Sequence, residues 1–179
     1  KSVHVVAHSM GTIVAQHMAV ARPDLVKSLA LFGPLVAPPD AARAGSLKRA
    51  ELARSGPAAM QEIADAIVQA ATSKETKAMR PAVLAAVRES VMRQPAEGYA
   101  KSCEALAAAQ SAAIEQVAVP TLLVTGDQDG VAPVANVQAI AARIQGSSLE
   151  VLDECGHWPT FERPERCVEE LLKFYQNVR

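Results

Sequence analysis

Cysteine is scarce in this sequence, and metal-binding patterns are absent from it. The three cysteines are Cys103, Cys155 and Cys167, and none of them forms a Cys-x-x-Cys pair. An odd number of widely spaced cysteines argues against a disulfide framework or a zinc site. The segment GDQDG, residues 126–130, resembles part of a calcium loop but lacks the later ligands of that pattern. We therefore expect no metal and no other cofactor, and a reducing, cytoplasmic location.

The chain also lacks an excess of either charge, and it lacks a long apolar run. Its formal net charge is −1 at pH 7, and Lys and Arg are scattered along it. Proteins that bind nucleic acid or anionic membranes usually carry basic patches, so neither is expected as a partner. The apolar run Leu25–Leu35 is interrupted by Lys27 and is shorter than the roughly 18 residues that a membrane span needs.

Apolar segments with strand character alternate with helical segments at both ends of the chain. Half of the residues are hydrophobic, which is enough to bury a core. This alternation predicts an α/β fold in which helices cover both faces of a parallel sheet. The predicted strands are Val3–Ala7, Val26–Phe32, Val119–Thr125 and Leu149–Leu152, and the predicted helices are Gly11–Ala21, Val134–Ile144 and Pro164–Asn177. The first strand is apolar on both faces, so we expect it to be buried.

The middle of the chain differs in composition, because it is rich in Ala and in charged residues. Its apolar residues recur with helical periodicity, and it has no strand-like run. Helices are predicted at about residues 40–54, 57–71, 73–94 and 95–110. Pro81 should kink or split the third of them. We expect residues 1–37 and 114–179 to form the core, with residues 38–113 as an all-helical cap inserted between strands and lying over one end of the sheet.

The opening segment VHVVAHSMGTIVAQHM, residues 3–18, places one serine in a sharp turn between a strand and a helix. Such a turn exposes Ser9 above the sheet if the neighbouring residues are small, as Ala7 and Gly11 are. The helix that follows directs the N–H of Met10 towards the place where an oxyanion would form. Ser9 is therefore a candidate nucleophile, and a simple helix N-cap is the alternative.

A serine nucleophile needs a base, and the chain offers four histidines. His157 lies in a loop after a late strand, at the end of the sheet where Ser9 is expected. His4, in the first strand, His8, beside the serine, and His17, two helical turns beyond it, are interpreted as structural. His157 is thus the candidate base.

The base in turn needs a carboxylate to hold its tautomer. Asp129 follows the Val119–Thr125 strand and is expected at the same end of the sheet. Asp127 in the same loop is a near competitor, and Asp153 is a weaker one. An Asp in a Gly-rich loop can also be a simple turn former.

Three segments together resemble the alpha/beta-hydrolase superfamily. AHSMG is similar to the nucleophile turn of that family, GDQDGVAP to its acid loop and GHWPTFERPE to its histidine loop. The resemblance implies Ser9 as nucleophile, His157 as base, Asp129 rather than Asp127 as acid, and Met10 as an oxyanion-hole residue. It also implies hydrolysis of a small carboxylic ester or lactone through an acyl-enzyme, and the cap is similar to those of 3-oxoadipate enol-lactonases and haloperoxidase-like esterases. One departure is Ala7, where the family usually has Gly.

A larger departure is that the chain begins at the strand that should be the fifth of eight in this family. The resemblance implies that four strands, and the loop with the second oxyanion-hole N–H, would precede Lys1, so we expect these residues to be the C-terminal part of a longer chain. If they exist alone, the missing half must be supplied in trans, the chain must self-associate, or it is inactive. Other functions stay open at this point. These are a catalytically silent fragment, a binding or receptor protein on the same scaffold, and a capped carbon–carbon hydrolase or cofactor-free haloperoxidase-like enzyme.

Overall fold

The computed structural model describes residues 1–56 and 58–178, and within them it contains one parallel sheet of four strands. The strands are β1 (Val3–His8), β2 (Val26–Phe32), β3 (Thr121–Gly126) and β4 (Ser148–Leu152). They lie side by side in the order of the chain, β1-β2-β3-β4, and every neighbouring pair is parallel. The α/β fold with a parallel sheet is as predicted.

The register of the sheet brings the carboxyl ends of the strands together. His8 pairs with Phe32, and Phe32 pairs with Val124. The turn after β1, the turn after β2 and the loop after β3 therefore leave the sheet at the same edge. This is the edge at which ligands collect in open α/β sheets.

Helices cover both faces of the sheet. They are α1 (Met10–Ala21), α7 (Val134–Ala141) and α9 (Pro164–Asn177). Leu29 and Leu31 of β2 pack with α1 and α7, whereas Ala30 and Phe32 of the same strand pack with α9. Successive side chains of a strand point to opposite faces, so a strand covered on both sides reads as a continuous apolar run.

Among the described residues, five α-helices lie between β2 and β3 and form the cap. They are α2 (Asp40–Ala53), α3 (Ala59–Ala71), α4 (Lys74–Met79), α5 (Pro81–Met92) and α6 (Ala96–Ala108). The predicted third helix is split at Arg80, since Pro81 begins α5 and cannot continue a helix. The predicted start of the second helix at Pro57 lies outside the described residues. The cap has an apolar cluster of its own, which includes Ala50, Met60 and Ile63. The boundaries of core and cap near residues 37 and 113 stay a prediction.

The first strand differs from the expectation that it is buried. β1 pairs with β2 on one side, and no strand of the described part of the chain pairs with its other side. Val3 and Val6 keep 50% and 53% of their surface exposed. An apolar sequence with β propensity thus forms an open edge here, because burial depends on the neighbours that a strand has and not on its own composition.

Two short elements were not foreseen from the sequence. A 3₁₀ turn, Ile114–Gln116, precedes β3, and a one-turn helix, α8 (Pro159–Glu162), follows β4. The three cysteines are free and buried. Among the described residues, no helix is both long and apolar enough to cross a membrane.

Candidate active site

Ser9 occupies a strained turn between β1 and α1. Its φ and ψ are 52° and −123°, and φ is positive for only one other non-glycine among the described residues, Glu154. The Ser9 N–H donates to Phe32 O at 3.0 Å, and Ser9 O accepts from the Thr12 hydroxyl at 2.6 Å. A sparsely populated backbone conformation held by such bonds is typical of functional sites. The Ser9 side chain makes no capping bond to α1.

The structure brings Ser9, His157 and Asp129 into one hydrogen-bonded series. His157 Nε2 lies 2.8 Å from Ser9 Oγ, and His157 Nδ1 lies 2.8 Å from Asp129 Oδ2. Because a carboxylate only accepts, Nδ1 carries the proton and Nε2 is free to accept from the serine hydroxyl. His157 and Asp129 expose only 5% and 4% of their surface, whereas Ser9 is half-buried, so the imidazole and the carboxylate are shielded from water.

The acid loop holds the Asp129 carboxylate in its ionised form. Its Oδ1 accepts from the N–H groups of Val131, at 2.8 Å, and Ala132, at 2.7 Å. Burial alone would raise the pKa of Asp129, but the hydrogen bond and charge of His157 and the two N–H groups together lower it.

The two other candidate acids, Asp127 and Asp153, have different surroundings. Asp127 Oδ1 accepts from Cys155 N at 3.0 Å and so ties the acid loop to the histidine loop. Asp153 has an exposed side chain on the turn after β4. The geometry thus places Asp129, and not Asp127 or Asp153, against His157, and its role as the acid stays a prediction.

The His157 ring lies against the backbone of the turn after β2. Gly33 has φ +54°, and a Cβ there would lie 2.8 Å from His157 Cε1 and 2.9 Å from Nδ1. Only glycine combines this backbone conformation with the space that the ring needs. Gly33 is therefore part of the site, which its place in the sequence, directly after β2, does not reveal.

His8 has a larger part in the site than its sequence position suggested. Its Nε2 donates to the backbone oxygen of His157 at 2.7 Å, and the centres of the two imidazole rings are 5.0 Å apart. Burial, and then the nearby His157, lower the pKa of His8 to about 4. His8 is thus neutral near pH 7, and it fixes the histidine loop instead of competing for the role of base.

Met10, two further histidines and Cys155 were also considered as site residues from the sequence. Met10 is the first residue of α1, where a backbone N–H has no partner within the helix. His4 bonds Ser28 Oγ at 2.7 Å, and His17 donates to Gln110 O at 2.9 Å. Their interpretation as structural residues stays a prediction. Burial raises the pKa of the Cys155 thiol far above its usual range, which makes it a poor nucleophile.

Comparison with known proteins decides the family. The sequence profile of the alpha/beta hydrolase family matches residues 1–170. This chain belongs to the alpha/beta hydrolase family. It is 30% identical, over 92% of its length, to 3-oxoadipate enol-lactonase 2 of Acinetobacter baylyi.

Solved structures of the same fold resemble this alpha/beta hydrolase closely. A thermophilic esterase from Thermogutta terrifontis superimposes with a TM-score of 0.91 at 25% identity, over 99% of this chain and 65% of that one. The enol-lactonase from Burkholderia xenovorans gives a TM-score of 0.86 at 26% identity, over 98% of this chain and 66% of that one. The chain spans 61% of the length of the Acinetobacter relative.

Among the described residues, no group of three or more His, Cys, Asp or Glu side chains could hold a metal ion. The groups that converge at the carboxyl edge of the sheet are a hydroxyl, an imidazole and a carboxylate. Such a set can move a proton and form a covalent bond to a carbonyl carbon.

Proposed function

We propose that this alpha/beta hydrolase is a serine hydrolase that cleaves a carboxylic ester or lactone through an acyl-enzyme. The observation that carries the proposal is the series Ser9 Oγ, His157 Nε2, His157 Nδ1 and Asp129 Oδ2, joined by two contacts of 2.8 Å. The names of the relatives, an enol-lactonase and an esterase, support the substrate class.

In the proposed reaction His157 takes the Ser9 hydroxyl proton as Ser9 Oγ attacks the carbonyl carbon. The tetrahedral oxyanion is held in part by the N–H of Met10, at the positive end of α1. The tetrahedral intermediate collapses when His157 Nε2–H protonates the leaving alkoxide, which leaves an acyl-serine. His157 then removes a proton from water, the hydroxide attacks the acyl carbon, and the acid is released as Ser9 regains its proton.

The space for substrate is proposed to lie between the cap and the acid loop. A cavity of about 470 Å³ is lined there by mainly apolar residues. Its walls include Leu35, Val36, Leu106, Val131 and Ala132. Its lining also includes Pro34 and Gly130, the chain neighbours of Gly33 and Asp129. An apolar cavity of this kind suits the hydrocarbon part of an ester or lactone.

The proposal is tested by active-site labelling with a fluorophosphonate and by mass spectrometry of the intact protein. We expect one label per chain, lost in Ser9→Ala and retained in Ser102→Ala, since Ser102 is an exposed serine on α6. No labelling of the folded protein would favour a silent or binding scaffold. Labelling without turnover of esters or lactones would favour a carbon–carbon hydrolase or haloperoxidase-like activity.

Two further expectations stay proposals. A partner for the open edge of β1, either additional strands or a second copy, is proposed because exposed apolar edge strands tend to pair.

A reducing location such as the cytoplasm is proposed because the three cysteines are free and buried.

A further inference from the structure

Glu162 is a fully buried acidic residue that the reaction does not use. It ends α8, and none of its surface is exposed. A buried charge is costly unless hydrogen bonds satisfy it, so each partner of this carboxylate matters. The partners come from two different parts of the molecule.

One oxygen of Glu162 holds the loop that carries the candidate base. Its Oε1 accepts from the backbone N–H groups of Gly156, at 3.0 Å, and Trp158, at 3.2 Å. These are the residues on either side of His157. The bonds to Glu162 therefore fix the peptide groups that set where the His157 ring lies.

The other oxygen holds the cap at the junction of α3 and α4. Its Oε2 accepts from the backbone N–H of Ser73 and from the Thr76 hydroxyl, each at 2.8 Å. The same junction contacts the histidine loop directly, since His157 N donates to Ala71 O at 2.7 Å. The two backbones are so close that a Cβ on Gly156 would lie 2.6 Å from Ala71 O.

We propose that Glu162 is a positioning residue for the catalytic base, and that it couples the place of His157 to the place of the cap. The inference rests on the proposed function, because it assigns a base whose position matters. In this proposal the α3–α4 junction and the histidine loop move together as one rigid unit around the Glu162 carboxylate. A shift of the cap would then change the distance between His157 and Ser9.

The substitution Glu162→Gln tests the proposal with almost no change in shape. An amide has only one accepting oxygen, so its NH₂ group must face the donors on one of the two sides. The Ser73–Thr76 side is the least unfavourable choice, because the Thr76 hydroxyl can turn and accept from the NH₂ group. Thr76→Val removes one cap donor, and Thr76→Ser restores it. Glu165→Gln is the matched control, because Glu165 is an exposed acidic residue on α9.

The first measurement is the second-order rate constant for fluorophosphonate labelling of Ser9 at one fixed pH. We expect Glu162→Gln to lower it about tenfold or more, since misplacement by about 1 Å can cost roughly 100-fold. Thr76→Val should show a smaller loss, and Thr76→Ser and Glu165→Gln should match the parent protein.

A second measurement does not depend on activity. The NMR resonances of the His157 ring, and the emission of Trp158, the one tryptophan of the chain, should change in Glu162→Gln and in Thr76→Val but not in Glu165→Gln. If the parent protein is not labelled, the proposed function fails while this readout still tests the positioning role.

Folded Glu162→Gln with the parent labelling rate and the parent His157 resonances would overturn the proposal. If Glu162→Gln does not fold, the Thr76 pair decides. Equal rates and equal His157 resonances in Thr76→Val and Thr76→Ser would overturn it.

Discussion

Replacing Asp129 with Asn should invert the proton arrangement of His157. Asp129 Oδ1 accepts two backbone N–H groups, so the single amide oxygen of Asn is needed at that position. The NH₂ group then faces His157 Nδ1, where the carboxylate oxygen now lies at 2.8 Å. As a donor it forces the ring into the tautomer with its proton on Nε2, and that nitrogen cannot accept from Ser9.

The size of the effect follows from that geometry. The wrong tautomer of a catalytic histidine lowers turnover by roughly 10⁴-fold, which corresponds to about 5 kcal/mol of activation free energy. Asp127→Asn is the matched control in the same loop. Asp127 makes its bond to Cys155 N through one oxygen, and an Asn oxygen can accept it equally well. We therefore expect the control to retain activity within about threefold.

The assays are the fluorophosphonate labelling rate, ester hydrolysis and the ¹⁵N NMR shifts of the His157 ring. The NMR spectrum should show the proton on Nδ1 in the parent protein and on Nε2 in Asp129→Asn. Equal losses in Asp127→Asn and Asp129→Asn, or an unchanged tautomer in Asp129→Asn, would refute the assignment of Asp129 as the partner of the base.

Two further predictions follow from the residues around the ring. Gly33→Ala should displace His157, because its Cβ would lie 2.8 Å from Cε1, and lower the labelling rate by about 100-fold. Gly146→Ala is the control, because Gly146 has a similar positive φ and no atom lies near the added Cβ. It should lower the free energy of unfolding by about 1 kcal/mol without lowering the labelling rate. An unimpaired Gly33→Ala would contradict the close approach. His8, with its pKa lowered to about 4, stays neutral in the fold while the unfolded chain takes up a proton below about pH 6.5. The free energy of unfolding should therefore fall between pH 6.5 and pH 4, by up to ~3 kcal/mol. His8→Gln should remove most of that slope in urea titrations, and an equal slope in His8→Gln would show that other groups cause it.

The sequence by itself determined the α/β class and the residues of the candidate site. A continuous apolar run is a local property, so β2 and β3 could be found without knowledge of their neighbours. Ser9, His157 and the loop of Asp127 and Asp129 could be named because each follows a strand, and parallel strands end at one edge. The preference for Asp129 over Asp127 came from the resemblance of GDQDGVAP to the acid loop of the alpha/beta-hydrolases. The helix break at Pro81 followed from the chemistry of proline alone.

Tertiary structure decided how those residues are held. That β1 is an exposed edge, that a side chain on Gly33 would strike His157, and that His8 donates to the histidine loop all depend on segments far apart in the chain. Glu162 shows the limit most clearly: next to Arg163 in a charged stretch it has the pattern of a surface acid. It is buried because four donors from the histidine loop and the cap converge on it. Local sequence encodes which side chains can do chemistry, whereas the long-range packing of backbone groups sets their positions.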